Sequence, residues 1–164
     1  MNKVDNILER LYKFSPNILQ LGKAIADDRL EILQSNISIN LPNDFVYLLK
    51  KHNGIFLCGV EILGLGMDFG KSSLDKVYQF EHFEVNNPMP LEYFPFSPDG
   101  MGNHYCLDLS KKEGNDSCPI VFWQWDVDYQ LNEVETCNSD FLDWMEEVLI
   151  GWTENDYNYD GSEK

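Results

Sequence analysis

Residues 41–66 read LPNDFVYLLKKHNGIFLCGVEILGLG, and a change of hydrophobic period inside this stretch decides the fold class. Leu41-Pro42 opens a helix with Asn43 and Asp44 in its first turn, where the partial positive charge of a helix start favours a carboxylate. Phe45, Leu48 and Leu49 recur at helical spacing and form its buried stripe. Asn53-Gly54 supplies residues tolerant of positive φ, so it stops the helix and turns the chain. Beyond Gly54 the pattern shortens, and Ile55 to Cys58 and Val60 to Leu65 read as strands.

Toward the N-terminus the signals are helical. Val4, Ile7, Leu8 and Leu11 share one face, and Ser15-Pro16 ends that helix and can start another. Asp27 or Asp28 caps a further short helix carrying Leu30, Ile32 and Leu33. Toward the C-terminus, Val77 to Val85, His104 to Leu109 and Ile120 to Asp126 read as strands. Tyr105, Leu107 and Leu109 alternate with Asp108 on a wetter face, whereas Ile120 to Trp125 is nearly continuous and suits a central strand covered on both sides. Two prolines exclude Phe94 to Gly100 from being a regular strand, so it reads as a structured loop, and Asn115 to Pro119 as a turn. Ser139 caps a last helix in which Phe141, Met145, Val148, Leu149 and Trp152 repeat, with Asp143, Glu146 and Glu147 facing water. The expected architecture is α+β, with N-terminal helices, a central, mainly antiparallel sheet and a C-terminal helix packed on that sheet. Residues 1–152 form one domain in this reading, and the polar, acidic residues 153–164 a disordered tail.

Composition supports one core: 164 residues, 43% hydrophobic, bury about two-thirds of their unfolded surface. The longest mainly apolar run, Gly54 to Met67, contains Glu61 and is too short to cross a bilayer, and MNKVDNILERLYK lacks a signal-peptide pattern. A cytoplasmic protein is expected. Cys58, Cys106, Cys118 and Cys137 form no C-x-x-C pair and have no histidine at zinc-ligand spacing, so they read as free structural thiols without metal or other cofactor. The net charge of −16 is uneven: residues 1–82 hold 10 acidic and 9 basic side chains, residues 83–164 hold 18 and 3, giving −1 and −15. Such a field repels nucleic acid and anionic lipid and speeds encounter with a basic partner.

The strings LPNDF, KKHNGI and EILGLG, then FPFSPDGMGNHYCLDL, PIVFW and NSDFLDWMEEVL, follow one another in an order that resembles the SMI1/KNR4 (SUKH) superfamily over about residues 27–150. The resemblance implies an α+β fold whose bacterial members commonly act as immunity proteins that bind and block toxins, many of them nucleases; fungal members regulate cell-wall synthesis. Leu41, Pro42, Asn53 and Gly54 match the family's helix and its stop, Gly64 its strand turn, and Pro95, Phe96, Asp99 and Gly100 its loop. Most of these residues serve architecture, and none of them needs a chemical role.

Catalysis is not expected, because His52, His82 and His104 lie near no nucleophile pattern, and the scattered carboxylates single out no pair. Asp156, Asn158, Asp160 and Gly161 mimic half of a calcium loop whose bidentate glutamate is missing. The candidate interface is the stretch from Trp123 to Tyr129 with Glu133 and Glu135, where Trp125 and Tyr129 offer anchors and Asp126, Asp128, Glu133 and Glu135 offer partners for Lys or Arg. The alternative places the tryptophans in the core and the acids on a hydrated hairpin. The expected function is an antitoxin that binds a protein toxin with a basic surface, as a monomer or weak dimer, with no nucleic acid or membrane partner. A non-enzymatic regulatory scaffold is the alternative, and an acidic DNA mimic or an enzyme stands third.

Overall fold

In the computed structural model, which describes residues 2–164, Asn2 caps α1 (Lys3–Leu11) by accepting from the Val4 N–H, and Val4, Ile7, Leu8 and Leu11 are buried. α1 ends at Leu11, ahead of the expected stop at Ser15-Pro16, and no second helix starts at that pair. Leu19–Leu21 form β1 instead, which pairs antiparallel with β2 (Ile55–Leu57), itself paired with β3 (Val60–Ile62). Between them lie α2 (Asp27–Ile37) and α3 (Asn43–Lys51). Asp27 and Asp28 sit in the first turn of α2 without capping it, and Ile32 points outward beside the buried Leu30 and Leu33. Phe45, Leu48 and Leu49 are fully buried, as the stripe requires.

The helix stop divides its labour differently from the sequence reading. Gly54 takes the positive φ of 103°, while Asn53 is buried and its side chain pairs with the backbone of Leu65, donating 2.9 Å to the carbonyl and accepting 2.6 Å from the N–H. Gly64 lies so close to Asn53 that a Cβ there would come within 2.5 Å of the Asn53 carbonyl oxygen.

The second sheet is wholly antiparallel, ordered β4 (Tyr93–Pro98), β5 (His104–Asp108), β6 (Ile120–Trp123), β7 (Glu135–Asn138). The expected loop at Phe94 to Gly100 is therefore largely a strand. Its prolines are tolerated because β4 is an edge and because the register shifts between Pro95 and Ser97. The Leu63 N–H donates to the Phe96 carbonyl (2.9 Å) and links the two sheets. Asp108 is buried rather than wet, its carboxylate accepting from the Ser110 N–H and hydroxyl.

The expected strand at Val77 to Val85 is a helix, α4 (Leu74–Phe83). Its buried residues Leu74, Tyr78, Glu81 and His82 fall at intervals of four, seven and eight, a helical face hidden in the sequence by aromatic, strand-like composition. His82 lies against carbonyl oxygens with both ring nitrogens, 2.8 Å from Tyr78 and 3.0 Å from Tyr93, which fastens α4 to β4.

Asp140, rather than Ser139, caps the last helix, α5 (Phe141–Trp144), which continues through a π-helical stretch, Met145–Gly151, into α6 (Trp152–Asp156). The wider π turn rotates the following residues, so Thr153 points inward and Trp152 is 48% exposed, contrary to its expected place on the buried stripe. The aromatic centre is Phe45, edge-on to Phe141 (5.1 Å), Phe96 (5.8 Å) and Phe94 (6.1 Å). Where a disordered tail is expected, the chain closes a small hairpin through Tyr157 and Glu163 and packs back on the start of the protein. Tyr159 lies 4.8 Å from the Phe14 ring, and its carbonyl accepts from the Ser15 N–H. All four cysteines are free thiols, Cys106 and Cys118 buried, Cys58 and Cys137 half-buried.

Candidate protein-binding surface

β6 carries Trp123 into a small apolar cluster with Met89, Cys106 and Val121, on the face of the sheet away from the main core. The chain then leaves the sheet until β7. Tyr129 turns back over Trp123, ring centroids 4.4 Å apart, and its hydroxyl accepts from the Gln124 N–H. Tyr129 thus braces the loop and is only half-exposed. The alternative reading of the tryptophans holds for Trp123, 2% exposed, and fails for Trp125, 56% exposed.

Trp125 is held from one side. Its Nε1 donates to the Met101 carbonyl (3.2 Å), and its ring rests on Gly102, where a Cβ would fall 2.8 Å from the ring. Gly102 also has a φ of 94°. Asp99 builds the turn beneath, accepting from the backbone N–H groups of Met101 and Asn103 and from the Asn103 amide. Partial burial would raise the Asp99 carboxyl, but these hydrogen bonds outweigh it and hold the group below the usual carboxylate range.

Asp126, Asp128, Glu133 and Glu135 are all exposed, and among the described residues none has a Lys, Arg or His nitrogen within 4 Å. The cations that do form ion pairs are engaged elsewhere: Arg10 with Glu146 and Glu154, Arg29 with Asp68, Lys50 with Asp27, Lys51 with Asp5, and Lys111 with Asp108. The loop's negative field is therefore not neutralised from within.

Beside this loop opens a groove of about 490 Å³. One wall is Trp125 with Met101 and Gly102. The other is Phe80 and Glu81 of α4 with the following residues Val85 to Asn87. The Asn87 amide donates to the Trp125 carbonyl (3.2 Å) and ties the two walls together. Glu81 of the α4 wall and the neighbouring His104 are both buried, 3.8 Å apart. Burial pushes the Glu81 carboxyl up and the His104 imidazole down to about 4, with Asp99 acting weakly against the latter.

The sequence reading missed Phe80 and Glu81 because it took their segment for a strand. It also passed over Met101, although a methionine between two glycines, in Gly100-Met-Gly102, is a legible sign of an apolar side chain presented on a turn. The family-motif residues sit at packed or turn positions. Leu41 and Pro42 are buried at the start of α3, and Pro95 and Phe96 are buried in β4. Gly100 takes a φ of 81° in the turn ordered by Asp99. Among the described residues no group of three or more His, Cys, Asp or Glu is placed to hold a metal. Asp160 spends its carboxylate on the Ser162 N–H and hydroxyl. No helix of the described residues is long and apolar enough to cross a membrane.

Among solved structures, one described as a protein from Pseudomonas syringae pv. tomato is similar at 19% identity, with a TM-score of 0.63 over 88% of this chain and 96% of that one, a likeness that shows the fold. A family model described as SMI1-KNR4 cell-wall matches residues 27–145, a span that takes in both walls of the groove and the acidic loop. With well over half of its length matched, the chain belongs to the SMI1-KNR4 family.

Proposed function

We propose that this chain is a non-catalytic immunity protein that binds a toxin domain through the acidic loop Asp126 to Glu135 and the adjoining groove. The observation that carries this reading is the pairing of four exposed carboxylates without counter-charges with an exposed tryptophan fixed on a rigid turn. An anchor of this kind keeps little side-chain freedom to lose on binding, and unneutralised carboxylates steer a basic surface toward it. A basic nuclease domain, which must itself attract nucleic acid, has the complementary charge.

The test is to express the chain with each neighbouring reading frame of its native locus. A frame whose product arrests growth alone and is tolerated with this chain supports the reading. Absence of any toxic neighbour, or toxicity undiminished by the chain, overturns it and favours the regulatory-scaffold alternative.

A further inference from the structure

We propose that the groove receives one arginine side chain of the partner, its aliphatic stem between Trp125, Phe80 and Met101 and its guanidinium on the Glu81 carboxylate. The proposal rests on the protein-binding reading and names the chemistry of that site.

Three observations converge. First, Glu81 is only 7% exposed, and no donor among the described residues hydrogen-bonds its carboxylate. A carboxylate largely screened from water and without a partner is costly, and its oxygens, which keep a little solvent contact, stay open to a donor from outside. Second, the residue nearest in charge cannot complete it. His104 Nδ1 stands 3.8 Å away, beyond hydrogen-bond reach, and is itself without a partner; its burial keeps the ring neutral at neutral pH. Third, Glu81 lines the groove, whose rim is apolar and aromatic: Phe80, Met101 at 78% exposed, and Trp125.

An apolar rim over a buried anion fits a long side chain that is apolar along its stem and cationic at its tip. Arginine fits better than lysine. Its guanidinium sheds water more readily than an ammonium, lies flat on an aromatic face, and can bond a carboxylate with two parallel N–H groups while others reach side-chain amides. Asn87 uses its amide nitrogen on the Trp125 carbonyl, which leaves its side-chain oxygen as such an acceptor at the rim.

The probe is n-butylguanidinium, an arginine side chain without backbone, titrated into the full chain while the backbone amide resonances of Asn87, Met101 and Gly102 are followed. Saturable shifts are expected with a dissociation constant on the order of 1 mM, typical of so small a ligand. The uncharged isostere n-butylurea is expected to bind at least tenfold more weakly. Glu81→Gln, which keeps the shape and removes the charge, is expected to weaken n-butylguanidinium at least tenfold with an unchanged fold. Should Glu81→Gln unfold, Trp125→Ala and Met101→Ala, both at exposed positions, must each weaken the probe several-fold. Equal binding of the urea, no saturable shift at these amides, or full binding by folded Glu81→Gln overturns the proposal. Loss of probe binding with intact neutralisation of a neighbouring toxin refutes the arginine pocket alone; probe binding without neutralisation refutes the toxin reading and leaves the pocket standing.

Discussion

Trp123 and Trp125 are two residues apart and differ in what their loss should do. Trp123 is 2% exposed, stacks on Tyr129 and sits in the cluster of Met89, Cys106 and Val121. Truncating it to alanine leaves a cavity among neighbours held by the sheet, at a cost of about 3–5 kcal/mol. Trp125 is 56% exposed, so it has roughly 100 Å² of contact to lose, about 2.5 kcal/mol at ~25 cal/mol/Å² as an upper bound that denatured-state compactness lowers. Its hydrogen bond to the Met101 carbonyl is solvent-accessible, and water replaces it. The expected cost of Trp125→Ala is about 1–2 kcal/mol. Urea denaturation measures both, and co-expression with a neutralised toxin measures binding. Trp125→Ala should fold and protect poorly; Trp123→Ala should lose protection only in proportion to the fraction unfolded. A loss of stability for Trp125→Ala equal to that for Trp123→Ala would refute the assignment of one to the surface and the other to the core.

Further outcomes follow from other elements. Asp44 is pushed up to about 6, chiefly by burial and also by Asp140, despite hydrogen bonds from the Ser117 hydroxyl and the Phe45 N–H. Its unfolded value is near 3.8, so the stability it contributes is fully present below that value and lost as pH rises through 6. The rise from 3.8 to about 6 corresponds to roughly 3 kcal/mol. Asp44→Asn should therefore be the more stable form at pH 7.5 and lose that advantage at pH 4, as denaturation at the two pH values checks; an advantage independent of pH would contradict this. Asn53→Ala removes both bonds to Leu65 in a buried site and should cost roughly 2–4 kcal/mol, measured by thermal or chemical denaturation. Deleting residues 157–164 removes the Tyr159 contacts with Phe14 and Ser15 and should lower the melting temperature by roughly 5 °C; an unchanged melting curve would show that the hairpin contributes nothing.

The parts of the fold legible in the sequence are those where one physical signal dominates. The stripe in α3, the turn at Gly54 and the continuous apolar run of β6 each have a pattern with a single reading. Misreadings arose where two signals competed. In α4, aromatic composition argued for a strand while burial spacing obeyed a helix. In β4, two prolines argued against pairing, but an edge position needs fewer donors. The π-helical stretch shifted Trp152 outward, which no regular period anticipates. The C-terminal hairpin has no apolar repeat because it docks through single residues, Tyr159 and Gly161, onto Phe14 and Ile18. At the candidate site, charge and aromatic content pointed to the loop from Trp125 to Glu135. The opposite wall, Phe80 and Glu81, comes from an element distant in sequence, and only folding brings it there.

The most direct measurement of the central claim is association kinetics with the neutralised toxin domain, for the parent chain and for a variant with Asp126, Asp128, Glu133 and Glu135 all changed to Lys. Exposed carboxylates contribute little to stability, so the variant should melt close to the parent. Its on-rate should fall at least tenfold at low salt. The parent's on-rate should drop steeply as salt rises toward 0.15 M, roughly where charges beyond about 8 Å are screened, while dissociation changes less. A folded variant that associates as fast as the parent, with the same salt dependence and full protection, would contradict the claim that this loop is the binding surface.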